Sequence, residues 1–397
     1  MATVLNQVGE NVSMVASTTE YGRISSNIRW GSNATEAQMI DIWRSAGTLS
    51  NLYINVLTND RGASTFRTRK GTANANLVVS ITASTTGKFE DTSNTDAVTA
   101  GDNWHATIVT GAGGTVFTFR VLSVLFAAST NTVQKMGCAE SANITTASAT
   151  NPGALYGNGN YQAGAADSLV GVTLRTGGTL RNLFVYISAN ARTTTTTFKS
   201  RVNSAAGNLT LDVTGSSTGS FEDTANSDTV ASGDLINWAA TTGTGTEAIR
   251  TRGIILELVT TNNQQQHATG EAPGLSQTAG LTQYYPLAGR LNTNATESNL
   301  ITETNLAFTA SLLQINISAN TIALDSTLTL RKNSAAGNQT VAITALTTGI
   351  FQDTVNTDTI VASDTLDYEV VTPSTLTSIT IRSISLLGDS TVASASV

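Results

Sequence analysis

The sequence predicts an all-β protein built from three tandem antiparallel β-sandwiches, and three observations predict it. A seven-residue segment occurs three times at nearly constant spacing, short runs of apolar residues alternate with polar ones, and only 12% of the 397 residues are charged. Thr, Ser, Asn, Ala and Gly fill the rest, a composition that favours strands and turns over long amphipathic helices.

The repeat sets the domain count. Thr86-Gly87-Lys88-Phe89-Glu90-Asp91-Thr92 returns as Thr218-Gly219-Ser220-Phe221-Glu222-Asp223-Thr224 and as Thr348-Gly349-Ile350-Phe351-Gln352-Asp353-Thr354, at offsets of 132 and 130 residues. Self-similarity at a fixed period reveals architecture that propensity alone misses. Asp96, Asp228 and Asp358 keep the same spacing, as do Asp102, Asp234 and Asp364; Arg69, Arg201 and Arg331; and Arg120, Arg252 and Arg382. Residues 1–132, 133–264 and 265–397 are therefore expected to be three copies of one unit.

Within each copy the elements follow in order. Leu52, Ile54 and Val56, then Leu183, Val185 and Ile187, then Leu313, Ile315 and Ile317 alternate with a period of two, the mark of a half-buried strand. A second strand carries Phe66, Phe198 or Leu328. After a turn rich in Asn and Gly, suited to a hairpin, a third carries Val79 and Ile81, Leu211 and Val213, or Val341 and Ile343. Beyond the acidic segment come Val98, Val230 or Ile360, a Gly-Asp or Ser-Asp corner, and two closing strands ending near Phe126, Leu258 and Leu387. About eight short strands with turn signals every 8–12 residues fit an antiparallel sandwich or jelly roll. Residues 127–160 and 259–290, rich in Thr, Asn, Gly and Gln, read as connections between units.

The charge balance excludes some functions. Twenty-one basic residues are scattered against 28 acidic ones, and the net charge of −7 repels a phosphate backbone, so nucleic acid is not an expected partner. No apolar run approaches the roughly 20 residues that cross a bilayer. Met1 to Val15 lacks the basic start and apolar stretch of a secretory signal, and Cys138, the single cysteine, permits no internal disulfide.

The strand Leu180-Arg181-Asn182-Leu183-Phe184-Val185-Tyr186-Ile187-Ser188, the Thr197-Phe198-Lys199-Ser200-Arg201 strand, the Thr-Gly-x-Phe-x-Asp-Thr corner and the closing Arg strand form a recognisable pattern. It resembles the jelly-roll modules of bacteriophage virion proteins, whose topology is similar to tumour necrosis factor and C1q heads. The resemblance covers most of each copy. It implies a structural virion protein, such as a capsid decoration, fibre or tail appendage, located in the virion, assembled in the host cytoplasm and packed onto other virion proteins in an oligomeric assembly. The alternative it implies is a receptor-binding or carbohydrate-binding adhesin whose partner is a host-surface glycan. Three copies allow either a pseudo-threefold arrangement or a rod.

Few residues invite chemistry. Asp91, Asn94 and Asp96, Asp223, Asn226 and Asp228, and Asp353, Asn356 and Asp358 offer oxygen ligands of the kind calcium accepts; turn hydrogen bonds by Asp and Asn explain the same pattern with fewer coincidences and are the preferred reading. The repeated arginines are placed to bridge to the repeated aspartates, which as a functional reading makes an anionic-ligand site; the preferred reading is a rim ion pair or a guanidinium packed over the sandwich end. His105 and His267 have no Cys or acidic cluster at ligand spacing, and no nucleophile elbow, phosphate loop or dinucleotide fingerprint occurs. The chain is thus expected to be no enzyme and to need no cofactor. Trp30, Trp43, Tyr156, Tyr161, Tyr284 and Tyr285 lie in the divergent stretches and are the candidates for a binding surface, with packing as the equal alternative. Trp238, aligned with Tyr368, is expected in the core.

Overall fold

The computed structural model describes residues 3–14, 17–24, 35–138, 143–156, 161, 166–260, 262–373 and 377–390, with β1 described by its backbone alone. Trp30 lies outside the described residues. The first eight strands are β1 (Thr3–Ser13), β2 (Thr19–Gly22), β3 (Gly47–Asn59), β4 (Ser64–Lys70), β5 (Ala73–Ile81), β6 (Gly87–Val98), β7 (Trp104–Val109) and β8 (Phe117–Ala128). They form two antiparallel sheets, ordered β1-β8-β3-β6 and β2-β7-β4-β5. That interleaving of early and late strands is the jelly roll.

The same order follows twice more. β9 (Thr132–Cys138), β10 (Asn143–Ile144), β11 (Thr150–Gly153), β12 (Val172–Thr173), β13 (Gly178–Asn190), β14 (Thr196–Val202), β15 (Ala205–Val213), β16 (Gly219–Val230), β17 (Leu235–Thr242) and β18 (Ile249–Thr260) come next. Here β9 and β10 both pair with β18, which continues to β13 and β16; β11 and β12 both pair with β17, which continues to β14 and β15. Last come β19 (Gln264–Thr278), β20 (Thr282–Tyr285), β21 (Gly289–Arg290), β22 (Thr302–Glu303), β23 (Phe308–Asn320), β24 (Ser326–Lys332), β25 (Ala335–Ile343), β26 (Gly349–Gln352), β27 (Thr357–Ile360), β28 (Thr365–Val371) and β29 (Ser378–Asp389). β19 joins β29 and β23, with β26 and β27 at the far edge, while β20 and β22 join β28, β24 and β25. We call the three sandwiches units 1, 2 and 3.

Each unit buries its own apolar set. Leu52, Ile54 and Val56 meet Phe66, Leu77 and Val79 across the first sandwich, and Leu183, Val185 and Ile187 meet Phe198, Leu209 and Leu211 in the second. In the third, Leu313, Ile315 and Ile317 meet Leu328 and Val341. The period-two pattern thus places its apolar residues on the inner faces. Trp238 and Tyr368 sit fully buried at matching places, as the alignment anticipated.

Local irregularities repeat as well. β3, β13 and β23 share a register slip at the place where Asn51, Asn182 and Leu312 take φ of 51°, 55° and 57°. Asn adopts this left-handed region at low cost and Leu does not. The β14–β15 and β24–β25 hairpins turn through Asn203-Ser204 and Asn333-Ser334, all with positive φ, the conformation a tight two-residue hairpin needs.

One sequence expectation needs correcting. Much of residues 127–160 and 259–290 is strand, not connection: β9 runs seven residues and β19 fifteen, each as the opening strand of its sandwich. Buried glutamines account for this, because the Gln134 side chain bonds the Gln266 backbone and the Gln266 side chain bonds the Arg175 N–H and the Thr173 carbonyl, so neither needs an apolar alternation.

Candidate functional site

The repeated acidic residues are occupied by the fold. Asp91 accepts from the backbone N–H groups of Ser93 (3.1 Å), Asn94 (3.0 Å) and Val78 (2.8 Å) and from Asn94 Nδ2 (2.9 Å). Asp223 does the same with Ala225, Asn226 and Thr210, and Asp353 with Val355, Asn356 and Thr340. Burial would raise these carboxyls, but the N–H bonds outweigh it and hold all three below their ordinary range. Four donors aimed at one carboxylate leave little lone pair for a cation. Asp96, Asp228 and Asp358 instead pin the neighbouring hairpin, accepting from the backbone N–H of Asn76 (2.7 Å), Asn208 (2.6 Å) and Asn338 (2.7 Å). Among the described residues no cluster of three or more His, Cys, Asp or Glu is arranged to hold a metal.

The arginines are the second correction. Arg69, Arg201 and Arg331 do not bridge to the repeated aspartates. Each pairs with the acid that opens a short 3-10 turn: Arg69 Nε with Glu36 (2.5 Å), Arg201 Nε with Asp167 (2.7 Å) and Arg331 Nε with Glu297 (3.0 Å). The acids sit in the divergent part of each copy, where the repeat was hardest to read. Behind each pair a third side chain faces the same acid: His105, Asn237 or Asp367.

A further set of contacts joins the units. Arg44 of unit 1 pairs with Glu222 of unit 2, Arg175 of unit 2 donates to Gln352 of unit 3 (3.2 Å), and Asn305 of unit 3 donates to Glu90 of unit 1 (3.0 Å). Glu90, Glu222 and Gln352 are the same position of the repeated segment, and the three donors stand just ahead of β3, β13 and β23. One joint is therefore made three times, and the third returns to the first unit. A head-to-tail contact whose rotation closes gives a ring. The pseudo-threefold arrangement, not the rod, is what this chain adopts.

Every joint seats a 3-10 turn or its flank on the next unit. Gln38 and Ile40 of unit 1 accept from the fully buried Arg23, whose guanidinium also reaches the Arg252 carbonyl on β18. Leu169 of unit 2 accepts from Arg382 on β29 (3.0 Å), and Ser298 of unit 3 accepts from Asn55 on β3 (3.3 Å). Arg120 reaches the Thr293 carbonyl of unit 3 at 3.5 Å. Arg120 and Arg382 thus work across joints, not within rims. Gly253 makes room for Arg23, since a Cβ there would lie 2.0 Å from its Nη1. Additional links are Lys135 with the buried Asp41, and Lys88 with Glu303.

The aromatic candidates divide. Trp43 and Tyr285 are core residues: Trp43 meets Phe126 edge-on at 4.5 Å, and Tyr285 donates to Gln277 at 2.6 Å. A ring inside a sandwich presents no binding face, so these two leave the candidate surface. Tyr156, Tyr161 and Tyr284 remain half-buried, with the Tyr161 hydroxyl on the Asn143 carbonyl at 2.8 Å and Tyr284 under the Arg331 guanidinium at 6.0 Å. The histidines are buried; His267 is driven down to about 3 by burial, and it stacks on Phe308.

Sequence reading missed a feature at one end of the sandwiches. Arg61 donates to the carbonyls of Met14, Gly113, Gly114 and Thr115, and Arg192 to those of Ile144, Thr146, Gly243, Gly245 and Glu247, both from buried positions. Unit 3 has Ile322 there, and its tip exposes Leu281, Leu324 and Leu346. The signal was present: Asn59-x-Arg61, Asn190-x-Arg192 and Asn320-x-Ile322 share one spacing, and each Asn accepts from the N–H two residues on.

No protein-family model matches the sequence, and no curated protein is similar to it. Among solved structures the chain is similar to one described as the triple jelly roll fold and turret assembly in an archaeal virus, with 14% identity and a TM-score of 0.21 over 88% of this chain and 80% of that one. Another is the insecticidal delta-endotoxin Cry8Ea1 of Bacillus thuringiensis, with 9% identity and a TM-score of 0.19 over 63% of this chain and 60% of that one. Superpositions this loose carry no argument about function. The jelly-roll assignment rests on strand order, and among the described residues no helix is long and apolar enough to cross a membrane.

Proposed function

We propose that the chain is a structural virion protein, a capsid decoration, fibre or tail appendage of a bacteriophage, that acts by packing onto other virion subunits and performs no catalysis. The observation that carries this reading is the closed ring. Three jelly rolls locked by one repeated joint make a rigid block whose repeated acids and arginines are committed to holding shape. Such a block supplies a surface, which is what a virion accessory protein contributes. The adhesin alternative has lost Trp43 and Tyr285 to the core.

Quantitative mass spectrometry of gradient-purified particles tests the proposal, together with cryo-electron microscopy of the same particles. Peptides at a fixed ratio to the major capsid protein, with three-lobed density on the particle, are expected. Absence from intact particles sinks it, and binding of the isolated chain on a glycan array would favour the adhesin.

A further inference from the structure

One buried position differs in each unit and faces the acid of the 3-10 turn every time. In unit 1 His105 Nε2 lies 2.9 Å from Glu36 Oε1, and in unit 2 Asn237 Nδ2 donates to Asp167 Oδ1 at 2.8 Å. Each nitrogen faces a carboxylate that an arginine also holds, and Asn237 brings it a hydrogen. Unit 3 places Asp367 there, on β28 directly across from Arg331. It is 1% exposed, and neither of its oxygens meets a hydrogen-bond donor. An ionised Asp367 has no hydrogen to give Glu297; a protonated one does.

Its surroundings reinforce the point. Glu297 faces it from the 3-10 turn, Arg331 from β24 and Glu369 from further along β28, with Tyr284 of β20 beside Arg331 and Glu369. Arg331 is shared among Glu297 (3.0 Å), Glu369 (3.6 Å) and the Ser334 carbonyl (2.6 Å). One cation thus serves three carboxyl groups, two of which already occupy it. The same turn seats unit 3 on unit 1, through the Ser298 carbonyl on Asn55, with Lys88 on Glu303 and Asn305 on Glu90 close by.

We propose that Asp367 is a proton latch on one joint of the ring: protonated, it bonds Glu297 and keeps the 3-10 turn seated on unit 1; when the proton leaves to solvent, two carboxylates face each other in the interior and that joint loosens. The other two joints have His105 and Asn237 at the equivalent place and stay closed. Burial, reinforced by Glu297 and opposed by Arg331, pushes the Asp367 carboxyl up to about 9, so the latch opens on the alkaline side.

Hydrogen exchange of the full chain, corrected for the intrinsic pH dependence of amide exchange, tests this. Protection of residues 297–303 should fall about tenfold between about pH 6 and about pH 10, while residues 167–173 at the joint between units 2 and 3 stay protected. In Asp367→Asn, which copies unit 2, the fall should vanish. An equal fall in wild type and variant, or no fall in wild type, overturns the proposal. Should the variant not fold, carboxyl carbon-13 titration of the aspartate-labelled wild-type protein decides: one aspartate titrating above about pH 7 supports the latch, and none doing so overturns it.

Discussion

A recurring residue does different work from the one its chemistry first suggests. The Asp-Asn pairs that look like oxygen ligands are turn clamps, each taking four N–H donors, and their depressed carboxyls are stabilising above the ordinary carboxylate value and lose that contribution as pH falls through the folded one. Resistance to urea unfolding should accordingly fall below about pH 4. Asp367 has the opposite sign: its folded value lies above its unfolded one, so its protonated form is favoured by folding and stability declines as pH rises from about 4 towards about 9. Asp367→Asn should therefore raise the unfolding midpoint, and raise it more at about pH 8 than at about pH 5. Strain offers a second check. Leu346 is exposed with φ of 57°, where units 1 and 2 have Ser84 and Ser216; Leu346→Gly should stabilise by about 1 kcal/mol in chemical denaturation, by relieving a left-handed β-substituted residue.

Strands and turns show where sequence was legible and where it was not. Leu52-Ile54-Val56 and its copies announced β3, β13 and β23 because a two-residue period survives any change of residue type that keeps polarity. β9 and β19 escaped because Gln134 and Gln266 are buried polar side chains satisfied by backbone groups, Gln134 by the Gln266 backbone and Gln266 by the Arg175 N–H and the Thr173 carbonyl, which alternation cannot reveal. The joints escaped for a different reason. Arg44, Arg175 and Asn305 share a place but not a charge, and their partners are Glu, Gln and Glu, so no motif marks them. Two changes test this level. Lys135→Met should cost about 3–5 kcal/mol, measured by urea unfolding, because it removes a buried ammonium from the buried Asp41 carboxylate. Gly253→Val should loosen the seat of Arg23 between units 1 and 2, seen as lost hydrogen-exchange protection in residues 36–41, with the core of unit 3 unaffected.

At the level of the whole molecule, a joint repeated around a ring leaves no open head or tail. Sedimentation should therefore find a 41.2 kDa particle that does not grow into filaments as it is concentrated. Because all three jelly rolls belong to one polypeptide, each finds its neighbour at an effective concentration fixed by the chain and not by the solution. A trimer of separate subunits falls apart on dilution; this assembly does not. Nor must its three lobes stay alike, since each position is encoded once: Ile322 and the leucines around it are changes that a true trimer would have had to carry in triplicate.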